Sequence, residues 1–327
     1  MSPSSNLKSE PHFGKRLRGS LAASAGVALA SFGLVLNTAQ GASCCGGSFA
    51  APSIINGDDQ AQLTASYGFN EVKVDSVDSD GMWHVSNNHQ NTQTLKLEGA
   101  RIFSDAWQAG FSLPVVTRTA PGRGSSSGLG DISTDVAYEY LSDWDYNPYR
   151  PKGIGFLALT IPTGLSRAES ESGGLDSRGA GFLALGLGTL LTKALGRWDF
   201  LTSLDLHRSF EKSIATSQLQ GRLQPGYGGN LALGAGYSFL PSWRLGSSLT
   251  WTYEDAISLN SASGIGDRIT VINGLERYAT ATLSLSHSHG TDWAETITYS
   301  DQTLFGSPVN TRLGRGIMAY LQRRWPR

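Results

Sequence analysis

Histidine and cysteine are the side chains best suited to metal or nucleophilic chemistry, and this 327-residue sequence has six of the first and two of the second. His287 and His289 flank Ser288, so in a strand both imidazoles face one way. A metal there needs a further carboxylate or imidazole that the sequence does not place beside them, and two surface histidines at a turn is the plainer reading. His84 and His89 lie in a long polar connection, and His207 precedes Arg208 and Ser209 with no serine–histidine motif around it. These residues predict no enzyme, no cofactor and no metal. Both cysteines sit together, at Cys44 and Cys45. Lipidation of Cys44 after Gly41-Ala42-Ser43, a strained neighbouring-residue disulfide, and an unmodified Cys-Cys-Gly-Gly leader all stay open, although Gly41 stands where a lipoprotein signal usually has Leu. A Cys-Cys pair alone lacks two ligands for a structural metal.

Charge offers a different chemistry. Lys96, Glu98, Asp135, Glu139, Asp205, Arg244 and Glu254 each fall on the polar side of a segment whose other side is apolar. If those segments enclose a lumen, these seven line it, pair with one another and set the selectivity of any pathway through it. Gly186 with Gly188, and Gly234 with Gly236, resemble pieces of a phosphate loop but stand at every second position of apolar strands with no helix behind them. Inside a narrow barrel they make room, or let the sheet bend.

The elements that position these residues show period-two patterning. In 243–254, Trp243, Leu245, Leu249, Trp251 and Tyr253 alternate with Arg244, Gly246, Ser248, Thr250, Thr252 and Glu254, so one face suits lipid and the other water. Twelve such strands are expected, at 62–72, 94–103, 107–117, 131–141, 153–161, 181–191, 198–208, 230–239, 243–254, 278–287, 292–300 and 313–325. Their connections run long, then short, with 142–152 the one long member of the short set. That rhythm predicts an all-β, transmembrane, antiparallel up-and-down barrel with periplasmic N- and C-termini and long loops outside.

Ahead of the barrel, the apolar run Leu21 to Leu36 follows Lys15, Arg16 and Arg18 and precedes Ala39-Gln40-Gly41, the pattern of a cleaved secretory signal over 1–41. Residues 42–61 have no strand pattern and either hang in the periplasm or enter the lumen as a plug; 62–327 form the barrel. No later stretch approaches the roughly twenty apolar residues of a spanning helix, so strands must do the spanning. Forty glycines and 16% charged residues fit sheet and turns. Once 1–41 is removed, 22 basic residues face 26 acidic ones, which leaves no basic stripe for nucleic acid. Trp107, Trp144, Tyr146, Tyr149, Trp198, Trp243 and Trp293 stand near short turns, where an interfacial aromatic belt belongs. The last strand ends on Trp325, close to the terminal aromatic that barrel assembly machinery reads.

Gly128-Leu129-Gly130-Asp131 leads into alternating Ile132, Thr134, Val136, Tyr138 and Tyr140, and the next strand runs Phe156 to Ile161 and closes on Pro162-Thr163-Gly164. In these two stretches the chain resembles the outer-membrane transporters grouped with the meta-cleavage pathway of phenol degradation, with Ala137 where that family often has a basic residue. The resemblance implies a barrel of about twelve strands in the cell outer membrane, passing small, often aromatic or hydrophobic molecules. Its expected partners are outer-membrane lipids, the assembly machinery and small organic solutes. A structural or surface-interaction barrel is the alternative, and a barrel-embedded hydrolase comes after it.

Overall fold

The computed structural model describes residues 53–57, 59–85, 90–142, 147, 149–216, 219–263 and 266–326. Twelve strands form a closed antiparallel wall: β1 Asp59–Val74, β2 Asn91–Ile102, β3 Trp107–Ala120, β4 Ile132–Leu141, β5 Lys152–Ile161, β6 Ala184–Leu195, β7 Trp198–Ser209, β8 Tyr227–Leu240, β9 Trp243–Glu254, β10 Glu276–His289, β11 Trp293–Asp301 and β12 Leu313–Pro326. Each pairs with its sequence neighbours, and β1 closes on β12 with Ala65 opposite Leu321 and Tyr67 opposite Ala319. Closure matters energetically, because every backbone N–H and C=O then has a partner and no edge meets hydrocarbon.

The expected alternation holds along the wall. On β1, Leu63, Tyr67 and Phe69 point outward while Thr64 and Ser66 are buried inside; on β11, Ile297 and Tyr299 point outward while Thr296, Thr298 and Ser300 are buried. Transferring one such outward Leu or Ile from water into hydrocarbon is worth about 1.5–3 kcal/mol, and the outer face repeats that gain around the whole circumference.

Short connections at 103–106, 196–197, 241–242 and 290–292 gather at one end with both chain termini of the wall, and 142–151 joins them. The opposite end carries every longer connection, and these have structure of their own. Gly124–Leu129 folds back on the outer half of β3, in line with β4, which pairs with the inner half, through a turn in which Gly122 and Gly124 have φ of +73° and +88°. Lys212–Ala215, Gln220–Gln224, Ile257–Ser263 and Gly266–Asn273 form a separate four-stranded sheet. Its core of Ile214, Leu223 and Leu259 packs with Phe182 of the 162–183 connection. Segments expected only as long loops are therefore folded into a cap. The sixth strand begins at Ala184 rather than 181 because Gly181, at φ +71°, belongs to a turn that Asp131 holds.

Candidate functional site

Two different surfaces face each other across the lumen. On β4 to β7, the inward positions Ala137, Ile154, Phe156, Ala158, Leu190 and Leu201 form one apolar cluster. On β9 to β11 the equivalent positions are hydroxyl-bearing: Thr250, Thr252, Thr280, Ser284, Thr296 and Thr298 are all buried within the lumen. Twelve strands enclose a space between the filled interior of an eight-stranded barrel and the aqueous channel of sixteen, so small changes in side-chain size decide what remains open.

Glycine spacing sets those sizes. Gly188 stands opposite Phe156, and a Cβ there would collide with the Phe156 ring and the Leu204 carbonyl. On β8, Gly236 and Gly228 lie opposite Asp199 and His207 of β7. With no side chain between them, Asp199 reaches across β8 to Arg244 on β9, accepting at 2.6 and 2.8 Å from the guanidinium. His207 Nε2 reaches Glu254 at 3.2 Å in the same way. Between these rungs Asn230 donates to Asp205 at 3.1 Å and accepts from Thr252 at 2.7 Å.

All seven sequence-expected lining charges thus face inward, each against a partner. Lys96 pairs with Glu98 at 2.9 Å on their own strand, and Glu139 pairs with Lys152 at 3.0 Å. Asp135 accepts a backbone hydrogen bond from Ser53. The partners Asp199, Asn230, Lys152 and Ser53 did not stand out in the sequence, since finding them requires strand register. Cys44, Cys45, His89, Trp144 and Tyr146 lie outside the described residues.

Ser53–Gly57 runs inside the short-turn end of the barrel. Ile54 packs on the apolar cluster, Ile55 exchanges backbone hydrogen bonds with the Gln108 amide at 2.7 and 3.2 Å, and Asn56 accepts from Thr192 at 2.9 Å and Lys152 at 3.3 Å. Beside this segment a cavity of about 480 Å³ remains, bounded by Ile54, Thr64, Glu98, Phe200, Arg244 and Tyr320 among others. Ser66 Oγ, Glu98 Oε2, Asp135 Oδ2 and the Tyr320 hydroxyl have no protein partner in this interior. Buried polar atoms of that kind are ordinarily satisfied by water or by a polar ligand, and these line the space a solute would enter. At the loop end a separate small cavity of about 20 Å³, room for about one water, lies among Glu254, Glu276, Phe182 and Ile257.

The two distinctive sequence stretches meet at that loop end. Asp131 accepts from the backbone N–H of Gly164 at 2.8 Å and of Gly181 at 2.9 Å, and Thr163 Oγ1 donates to Gly130 O at 2.6 Å. A Cβ at Gly179 would strike the Asp131 carboxylate. Burial raises the Asp131 pKa above the usual carboxylate value, against the lowering effect of those backbone donors. In the same connection Glu169 accepts from Lys212 at 2.6 Å and from Ser166 Oγ at 2.7 Å, tying 162–183 to the loop sheet. Burial, the largest single effect on Glu169, pushes its pKa up, yet the Lys212 and Ser166 hydrogen bonds together outweigh it and hold the carboxyl below 4.5.

No family model and no curated protein matches the sequence. Among solved structures, an outer-membrane channel from Pseudomonas putida F1 superposes with a TM-score of 0.64 over 83% of this chain and 99% of that one, at 14% identity. The translocator domain of the autotransporter NalP from Neisseria meningitidis gives 0.45 at 14% identity, over 83% and 90% of the two chains. A variant of the monoaromatic hydrocarbon channel TodX gives 0.41 at 11% identity, over 83% and 91%. The first of these likenesses establishes the fold as that of an outer-membrane barrel, and the apolar outer face places the chain in that membrane.

Proposed function

We propose that the barrel is a restricted channel for small organic molecules, with residues 1–41 a cleaved signal, the part of 42–61 that precedes β1, residues 42–58, a plug, and both termini of the wall in the periplasm. The observation that carries this reading is the cavity of about 480 Å³ between Ser53–Gly57 and the far side of the lumen. Sites for drug-sized ligands occupy roughly 300–1,000 Å³, so the space suits a small solute and is too tight for a polymer. One side of the lumen is apolar and the other hydroxylated, which favours amphipathic or aromatic molecules over ions alone. The meeting of the Gly-Leu-Gly-Asp and Pro-Thr-Gly stretches at one rim supports kinship with the phenol-degradation transporters, since it gives both stretches one structural task.

Planar-bilayer recording on the barrel, with and without residues 42–58, tests the reading. Conductance that rises on deletion is the expected result. The lesser change Ile54→Asp, which puts a charge against the apolar cluster, should raise conductance while the barrel stays folded. Silence in all three forms would sink the channel and leave the folded loop sheet, with its own core, as the basis for a surface-interaction role.

A further inference from the structure

The short-turn rim carries a cluster that the lumen does not use. His287 and His289 project from the outward face of β10 and Glu295 from that of β11, because the ladder sets His287 opposite Glu295 and His289 opposite Trp293. Directly opposed residues of an antiparallel pair have Cβ atoms about 4.5–5.5 Å apart, so three donors fall within reach of one point. A nitrogen of each imidazole and an oxygen of Glu295 all lie within 4.8 Å of one another. His289 Nε2 already stands 3.5 Å from Glu295 Oε1, while the His287 ring stacks on Trp243 at 4.3 Å and meets His289 edge-on at 4.1 Å.

We propose that His287, His289 and Glu295 bind one divalent transition-metal ion of the zinc and copper class. The donor set decides the class: two imidazoles and one carboxylate suit zinc, copper and nickel, whereas calcium and magnesium select oxygen alone. Ligands at about 2.0–2.2 Å around tetrahedral zinc sit roughly 3.4 Å from one another, so closing from 4.8 Å takes rotation of the exposed His289 and Glu295 toward the half-buried His287. Register cannot slip in a closed wall, so the three donors remain on one face. With three protein ligands, a water completes the coordination. The ion ties β10 to β11 at the rim, outside the barrel and independent of whatever crosses the lumen.

The test uses the full chain, without a polyhistidine tag, in detergent micelles. Calorimetry with zinc should show one equivalent bound, and copper(II) should give a spin-resonance spectrum with two nitrogen couplings. Copper should also quench tryptophan emission, less so in Trp243→Phe. His287→Asn, His289→Asn and Glu295→Gln should each weaken binding by more than about tenfold, given that even outer-shell partners of metal ligands are worth roughly 10–100-fold. Heat-modifiable gel migration reports that each variant is folded; should His287→Asn fail to fold, Glu295→Gln, which alters an exposed carboxyl, decides. Absence of binding by the parent chain overturns the site. So does unchanged affinity in the histidine variants, or loss of binding only in His84→Asn, which would move the ion to the His84–Asp78 pair, 2.7 Å apart.

Discussion

The lumen has two walls built by opposite rules. On β4 to β7 the interior is packed like a soluble core: Ile154 and Leu190 are 0% and 1% exposed, and Gly188 is hollowed out so that the Phe156 ring fits. On β9 to β11 short hydroxyls stand in a row, and at the edge of this face the Asp199–Arg244 ion pair and the His207–Glu254 contact reach over β8, where Gly236 and Gly228 leave room. The same fold therefore spends glycine on tight packing at one side and on long-range ion pairing at the other. What differs is the tolerance for change: a rigid ring against backbone cannot yield, whereas a carboxylate on a flexible stem can.

Breaking the packed wall should have the largest effect. Phe156→Ala removes a buried ring from the cluster and leaves a hole beside Gly188, at a cost of about 3–5 kcal/mol. The denaturant midpoint for loss of the heat-modifiable folded form measures it, and a change below 1 kcal/mol would show that the cluster is merely lumen lining. Next comes the paired comparison of glycines. Gly188→Ala drives a methyl into the Phe156 ring and the Leu204 carbonyl and should destabilise by about 1–3 kcal/mol. Gly236→Ala meets only the end of Asp199, so it should cost less while separating that carboxylate from Arg244. If Gly236→Ala proves the more damaging, the distinction between the walls fails.

The loop end allows a pH test of similar kind. Because hydrogen bonds from Lys212 and Ser166 hold the folded Glu169 pKa below 4.5, its contribution to anchoring 162–183 is complete above 4.5 and is lost as pH falls through the lowered value. Protease cleavage in 162–183 should accelerate over that acidic window, and Glu169→Gln should flatten the response. Asp131, raised by burial, acts with the opposite sign: protonation relieves its desolvation, so the turn at Gly181 does not loosen with acid through this group.

Most of the wall was legible because period-two alternation is enforced from both sides, by lipid outside and by the confined interior within. Expected and observed strands agree in number and differ by a few residues at their ends. The charged lining was legible for the same reason. The apolar wall was not, because its inward residues look like its outward ones: in Phe156-Leu157-Ala158-Leu159 both faces are apolar, and no alternation marks which side meets lipid. Partners such as Asp199 for Arg244 were hidden too, since they sit two strands apart and depend on a glycine in the strand between. The third ligand-type residue beside His287 and His289 was hidden similarly, as Glu295 becomes their neighbour only through the β10–β11 register.

The smallest expected effect is also the one that separates structure from transport on the hydroxylated wall. Thr298 is 4% exposed on β11, flanked along the inward face by Thr296 and Ser300. Thr298→Val keeps the shape and the β-branched fit to the strand but removes the hydroxyl. A typical intramolecular hydrogen bond contributes about 0.5–1.5 kcal/mol net, and a hydroxyl facing lumen water exchanges even that for solvent, so folding stability should change by less than about 1 kcal/mol. Passage should change more than folding does, because a methyl in a narrow lumen removes a hydrogen-bonding group that a polar solute would use in place of its own hydration. Conductance of the form that lacks residues 42–58 should therefore fall in Thr298→Val while the denaturant midpoint holds. The reverse result, a lower midpoint with unaltered conductance, would make the hydroxyl row part of the barrel's structural core and move the pathway to the apolar side.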